Sequence, residues 1–323
     1  MTTAVLDVYL TESEWSATLR SDVRKGLTAI PKMLPPKWFY DAAGSQLYEL
    51  ITKLPEYYPF AAEHEILLAR AGEIAAASRA ECLVELGSGS SEKTCLLLDA
   101  LSSVGTLRRY LPLDVSEAAL RDAIDSLAAA YPGLVVHGIV GDFTRHLSQI
   151  PADGKRLLAF LGGTIGNLMP GDRAVFLRAV RQMLRSGEQL LLGTGLVIDP
   201  AVMVAAYDDE QGVTAEFNRN VLRVLNRELG ANFVPEAFEH VALWDAEREW
   251  IEMRLRARHR LTVRVVELGL EVPFAAGEEM RTETSAKFRA EGVRAELAAA
   301  GFELTEWWTD TAQRFGLSLA TAG

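Results

Sequence analysis

Between residues 81 and 195, short apolar runs alternate with amphipathic stretches, a pattern that predicts strands crossing over through helices into a parallel sheet. The runs are CLVEL at 82–86, RRYLPL at 108–113, LVVHGIV at 134–140, RLLAFL at 156–161 and EQLLLG at 188–193. Helical periodicity fills the intervals, most clearly at 92–101, 116–130 and 172–184. Ser116 is placed to cap the second of these, and Gly187 to stop the third. Residues 1–80 show no convincing strand. Helical stretches at 14–25 and 61–78, joined by AIPKMLPPKWFYD, read as a helical cap. From 196 to about 243 the chain reads as helical and polar. EWIEMRLRARHRLTVRVVEL then reads as two strands with a bend near His259, GVRAELAAAGF as a helix, and FELTEWWTD and FGLSLA as strands. The expected organisation is an N-terminal helical cap at 1–80, a Rossmann-like core at 81–195, an insertion at 196–285 and a C-terminal completion of the sheet at 286–323. Cap and insertion together would form a second, substrate-binding domain.

Composition narrows the partners. The 323 residues are 49% hydrophobic and 24% charged, the usage of an ordinary globular protein, and the net charge is -11. Such a chain is repelled by phosphate backbones and anionic lipid heads, and Arg178, Arg181 and Arg185 at helical spacing read as a solvated face. Neither nucleic acid nor membrane is expected as a partner. Cys82 and Cys95 are too few for a disulfide framework and lack the spacing of a zinc site, so no metal is expected and a reducing cytoplasm is. The start, MTTAVLDVYLTESEWS, lacks the basic flank and apolar run of a signal peptide.

The strongest local chemistry lies in VELGSGSSEKT at 84–94, a glycine-rich turn between the first core strand and its helix. Gly87 and Gly89 allow a sharp turn and close approach of a ligand. Asp114, ending the next strand in LPLDVS, can accept hydrogen bonds from both ribose hydroxyls of an adenosine. Asp142 and Phe143, in GDF after the third, suit an adenine amino group and its ring face. Each piece has a plainer reading, the glycines as a tight turn and Asp142 as a helix cap, but three acceptable pieces at three successive strand ends point to an adenosyl ligand. A nicotinamide-dependent oxidoreductase would need a third helix-packing glycine and a pyrophosphate at the helix N-terminus. Ser91 and Glu92 interrupt that fingerprint, and Glu92 repels phosphate. S-adenosylmethionine carries none, so the expected fold is the α/β sheet of a Rossmann-like class I methyltransferase.

The fourth strand runs into FLGGTIGN, a polar turn suited to a methyl acceptor. Together with LPPKWFYDAAGSQLYELITKLPEYYP, LVELGSGSSEKT, AYDDEQGVTAEFNRNVL, EWIEMRL and GEEMRTETSAKF, it makes nearly the whole chain resemble the histidine-specific N-alpha-methyltransferases of ergothioneine biosynthesis. The resemblance implies cofactor contacts at Gly87, Lys93, Asp114, Asp142 and Phe143. It implies histidine contacts at Tyr57, Asn167, Tyr207, Glu283 and Ser285: Asn167 and Tyr207 on the carboxylate, Glu283 and Ser285 on the imidazole, and Met253 lining the ring pocket. Thr284, between the two ring-facing residues, is taken with them as substrate-binding. If that segment is extended, Glu283 and Ser285 point to one side. The chemistry agrees, since amide and phenol donors suit a carboxylate and a carboxylate with a hydroxyl suits two ring nitrogens. The chain departs from the family pattern at Gly195, often an acid, and at Ile198, often a lysine, a difference that bears on loop geometry more than on the reaction.

The resemblance implies trimethylation of the α-amine of L-histidine to hercynine, through mono- and dimethyl forms; in-line displacement needs no covalent nucleophile, no base is identified, and a monomer is expected. Tyr57, Tyr58 or Tyr40 would offer aromatic faces to the growing cation. A methyltransferase for another aromatic amino acid or a histidine derivative, and a module that binds the cofactor without turnover, are the alternatives.

Overall fold

The computed structural model describes residues 4–89 and 92–323, the side chains of Glu92 and Ala128 excepted. The chain divides into two compact units: Met1–Leu10, Pro59–Val197 and Phe288–Gly323 form the first, Thr11–Tyr58 and Ile198–Lys287 the second. Among the described residues, no helix is long and apolar enough to cross a membrane.

The first unit is built on one eight-stranded sheet. Its strands are β1 (Ala4–Val8), β2 (Cys82–Leu86), β3 (Arg109–Asp114), β4 (Val135–Val140), β5 (Arg156–Phe160), β6 (Gln189–Gly195), β12 (Phe302–Thr309) and β13 (Phe315–Ala322), numbered along the whole chain. They lie in the order β1-β4-β3-β2-β5-β6-β13-β12. Every pairing is parallel except the two made by β13, which runs antiparallel to β6 and to β12. Strands β2, β5 and β6 are buried at every residue, as a sheet covered on both faces requires, and for that reason they read as unbroken apolar runs. The crossovers are α4 (Glu92–Val104), α5 (Glu117–Ala130) and α6 (Pro170–Met183), with α3 (Tyr58–Ser78) before β2 and α9 (Ala290–Ala299) before β12. Ser116 caps α5 by accepting the Ala119 N–H at 3.3 Å. Helix α6 starts two residues earlier than its pattern suggests, because Pro170 at its first turn has no N–H to lose.

Two expectations are corrected here. Strand β1 lies within the stretch expected to lack strands; five residues of half-exposed edge carry little pattern of their own and are held by parallel pairing with β4, more than a hundred residues away. The 1–80 cap is likewise not one piece. Residues 1–10 and 59–80 belong to the sheet unit, where Ala62, Ile66, Leu67, Ala71, Ile74 and Ala75 of α3 join the core formed by β2, β5 and β13.

The second unit holds α1 (Glu12–Thr28), α2 (Ala42–Ile51), α7 (Pro200–Ala205) and α8 (Val213–Leu229), with a three-stranded antiparallel sheet and a two-stranded hairpin. The sheet is β11 (Glu279–Ala286), β8 (Trp250–Ala257) and β7 (Phe238–Asp245), in that order; the hairpin pairs β9 (Leu261–Val265) with β10 (Leu270–Phe274). Strand β7 overlaps the end of the stretch expected to be helical. Its half-buried residues alternate weakly, and pairing with β8 along its whole length makes the strand. One face of β8, with Ile251, Met253 and Leu255, packs into a core shared with Leu19, Val23, Phe39, Phe217 and Val221. The other face is ionic: Arg254 bridges Glu252 at 2.5 Å and Glu279 at 2.6 Å.

Chain leaves and re-enters the sheet unit at adjacent points. Phe288 donates its N–H to the Gly195 carbonyl at 2.8 Å, and Val197 donates to the Phe288 carbonyl at 3.1 Å. Gly195, one of the two departures from the family pattern, is therefore a ladder residue of β6, opposite Phe315 of β13.

Candidate active site

In the first unit, the glycine turn leaves β2 with Gly87 at φ 72° and Gly89 at φ 50°, left-handed backbone that side chains rarely adopt. A Cβ at either position would meet nothing within 4 Å, so conformation rather than crowding requires glycine, and the loop borders open space. Asp114, at the end of β3, holds the loop in place: its carboxylate accepts the Gly89 N–H at 3.2 Å and the Ser116 N–H at 2.9 Å. Burial raises its pKa, and those N–H groups oppose the shift. A carboxylate has about four lone-pair sites, so two bonds leave acceptor capacity for ribose hydroxyls. Ser88 Oγ, buried in the same turn, has no hydrogen-bond partner among the described residues. An open cradle, an unsatisfied hydroxyl and an acid with spare acceptors fit an adenosyl group. Ser91 and the Glu92 side chain, used above to argue against a pyrophosphate, lie outside the described residues.

Asp142 follows β4 and accepts both the N–H (2.8 Å) and the hydroxyl (2.6 Å) of Thr144, which closes a turn and caps no helix, the next helical turn being Leu147–Gln149. Phe143 packs edge-on against Phe160 at 5.1 Å and Phe176 at 5.6 Å. Lys93 pairs with Glu63 and lies 4.9 Å from the Phe60 ring centroid. Glu63 went unnoticed in the sequence. It is buried in α3 and also accepts the Gly162 N–H at 2.9 Å, so it links Lys93 to the turn that follows β5. That turn has Gly162 and Gly163 at φ near 70° and ends in a single 3-10 turn, Thr164–Asn167, which carries Asn167. Glu85 was also missed; buried on β2, it accepts from the Tyr110 and Thr94 hydroxyls, and burial pushes its carboxyl up to about 7.

In the second unit, β11 is the extended segment on which the ring-facing assignment depends. Glu283 lies opposite Met253 and Ser285 opposite Ile251, so all four share the apolar face of the sheet. A bulge between Arg281 and Glu283 sets this register. Thr284 lies opposite Glu252, on the ionic face, and strand alternation therefore separates it from Glu283 and Ser285. Tyr207 donates its hydroxyl to Ser285 Oγ at 2.8 Å. Burial raises the Tyr207 pKa well above its usual value, and the Glu283 charge adds to the shift. The Tyr57 ring meets Tyr207 edge-on at 6.3 Å, Tyr48 meets Tyr57 at 6.3 Å and Tyr40 meets Tyr48 at 5.6 Å, a row of four phenols. Tyr58 is buried in the core. Lys287 donates to both Tyr207 Oη and Ser285 Oγ, and was missed although it stands two residues beyond Ser285.

The backbone behind Tyr207 is pinned as well. His240 Nε2 lies 2.7 Å from the Tyr207 carbonyl, its Nδ1 lies 2.8 Å from Asn218 Nδ2, and Thr282 donates to Asn218 Oδ1 at 2.6 Å. Burial lowers the His240 pKa, which favours the neutral ring that this donor and acceptor pattern needs.

A sheet ordered β4-β3-β2-β5-β6-β13-β12 with only β13 reversed, a glycine turn after β2 and an acid ending β3 together define a class I S-adenosylmethionine-dependent methyltransferase. Residues 19–322 match the family model described as histidine-specific methyltransferase, SAM-dependent, and the chain belongs to that family. It is 58% identical over 312 residues to a histidine N-alpha-methyltransferase of Mycolicibacterium smegmatis and 56% identical to one of Mycobacterium tuberculosis, in both cases over 97% of each chain. It is also 30% identical to the ergothioneine biosynthesis protein 1 of Neurospora crassa, over 90% of this chain and 33% of that protein. Among solved structures, the mitomycin 7-O-methyltransferase MmcR is similar with a TM-score of 0.44 at 14% identity, over 97% of this chain and 69% of that one.

Proposed function

We propose that the protein transfers three methyl groups in succession to the α-amino nitrogen of L-histidine, giving hercynine in ergothioneine biosynthesis. The observation that carries the substrate is the shared face of β11 and β8. A carboxylate (Glu283), a hydroxyl (Ser285) and a thioether (Met253) gathered on one apolar face suit a flat ring with one N–H and one bare nitrogen. Tyr207, beside them, is a donor for the substrate carboxylate. Thr284 drops out of this set.

S-adenosylmethionine supplies a methyl carbon already activated by its sulfonium, so the protein's part is orientation and electrostatics. Gly87, Ser88 and Asp114 hold the adenosyl group. Lys93, Asp142 and Phe143 shape its surroundings through the pairings described above. Each of the three transfers requires the substrate ammonium to lose a proton before attack, and the third leaves a quaternary ammonium that has no proton left to lose. The Tyr40, Tyr48, Tyr57 and Tyr207 row provides ring faces on which such a cation is favourable. Cys82 and Cys95 are free thiols, which suits a reducing cytoplasm.

Incubation with each of the twenty amino acids and methyl-labelled cofactor tests this reading. Label should enter histidine alone and reach the trimethyl product. Labelling of another aromatic amino acid in preference would reassign the substrate, and cofactor binding without any labelling would leave a binding module.

A further inference from the structure

Lys287 continues the alternation of β11 one step past its last residue. Its backbone N–H donates to the Glu249 carbonyl at 2.8 Å, so the chain is still paired there and residues 283, 285 and 287 share one face. The residue is 6% exposed. Its Nζ donates to Tyr207 Oη at 2.8 Å and to Ser285 Oγ at 2.9 Å, and lies 4.8 Å from the Tyr207 ring centroid. With Tyr207 Oη 2.8 Å from Ser285 Oγ, the three polar atoms close a triangle. Burial draws the Lys287 pKa below its ordinary value, while the Tyr58 and Glu283 charges act the other way.

The donor count in that triangle has a direction. An ammonium has three donors and no acceptor, whereas each hydroxyl has one proton and two lone pairs. Where Lys287 donates to both oxygens, neither hydroxyl can send its proton back to the nitrogen. The protons of Tyr207 and Ser285 must go to each other or toward a ligand.

We infer that Lys287 is a positioning residue that fixes Tyr207 and Ser285 as hydrogen-bond donors toward the amino-acid substrate. This rests on the histidine reading of the site. When substrate binds, Tyr207 turns its single proton from Ser285 Oγ to the substrate carboxylate, and Ser285 offers its own to an unprotonated ring nitrogen. Glu283, a carboxylate on the same face, takes the N–H of the other ring nitrogen. The pair thus reads a neutral imidazole in one tautomer. An imidazolium, with two N–H groups, leaves Ser285 facing a donor; a phenyl ring leaves both residues unpaired.

Lys287→Met keeps the chain length and removes the donors. The measurements are steady-state histidine methylation, S-adenosylhomocysteine affinity by calorimetry and thermal melting. The KM for histidine should rise roughly tenfold or more, the size expected from losing a charge-assisted hydrogen bond. The kcat and the S-adenosylhomocysteine affinity should stay within about threefold, since the change acts on substrate binding and not on the cofactor loop. Lys287→Gln, whose amide still donates, should recover part of the KM, and it carries the test if Lys287→Met does not fold. In a Tyr207→Phe, Ser285→Ala background no hydroxyl remains to be directed, so the effect on KM should vanish. An unchanged KM in the single variants, or an equal rise in that background, overturns the assignment. A parent enzyme that does not methylate histidine overturns the substrate reading and this inference together; an active parent whose KM ignores Lys287 overturns the inference alone.

Discussion

Met253 of β8 stands directly across from Glu283 of β11 on the apolar face of the second unit's sheet, with Met253 buried. A carboxylate facing a ring from such a wall favours one that can donate a hydrogen bond and penalises one that leaves the charge unpaired. Glu283→Ala should lower kcat/KM for histidine roughly 10- to 150-fold, the loss of a charge-assisted bond. Adding Met253→Val should enlarge the space and ease the penalty against tryptophan. The ratio of histidine to tryptophan methylation, measured in parent and both folded variants, checks this; an unchanged ratio would mean these residues do not read the ring.

Asp114 holds the Gly89 N–H and, in the proposed cofactor site, also offers acceptors to a ribose. Asp114→Ala should therefore weaken S-adenosylmethionine binding by about 1.5 to 3 kcal/mol or more, since the loop loosens as well. Titration calorimetry on the folded variant decides it. Affinity equal to the parent's would make Asp114 a purely structural residue.

In the proposed site, Tyr207 donates to the substrate carboxylate. Histamine, which keeps the ring and the amine but lacks the carboxylate, should be methylated far more slowly than histidine, because orientation is lost along with affinity. Equal rates for the two compounds would remove the carboxylate role from Tyr207 and Asn167.

Glu85 makes stability depend on pH. Its carboxyl is raised from an ordinary value to about 7, so between roughly pH 4.5 and 7 the folded chain holds a proton that the unfolded chain has released. The contribution is fully present below the unfolded pKa and lost as pH rises through 7, a difference of about 3 kcal/mol. Denaturant melts of the parent and Glu85→Gln should show the parent losing ground to the variant from pH 5 to pH 8. A constant gap between them would show that Glu85 titrates alike in both states.

Strands β2 to β6 were legible because each is a largely apolar run between turn signals, and in β2, β5 and β6 burial on both faces writes itself into residue type. Strand β1 was not, since Ala4–Val8 becomes a strand only by pairing with β4. The ends of the cap were misjudged for a related reason: α3 is helical whichever unit it joins, and periodicity reports the helix rather than its partner. In the site, glycines and strand-end acids announce themselves by type and place. Glu63, Glu85 and Lys287 do not, because a carboxylate or an ammonium in a sequence reads as surface until its partner is seen. Period-two counting from Glu283 through Ser285 would have reached Lys287. The same counting separates Thr284 from its neighbours.

The two backbone bonds that join Gly195, Val197 and Phe288 act as a fixed doorway in the sheet unit. The chain from Ile198 to Lys287 departs and returns there, and doubling the length of an enclosed loop adds only about 0.6 kcal/mol to closure. Mutation, insertion and exchange within that stretch can therefore revise Tyr207, Met253, Glu283, Ser285 and Lys287 while the glycine turn and Asp114 are inherited unchanged. The side chains proposed to read the imidazole and those proposed to hold the cofactor thus occupy separate stretches of the chain, which mutation can reach independently.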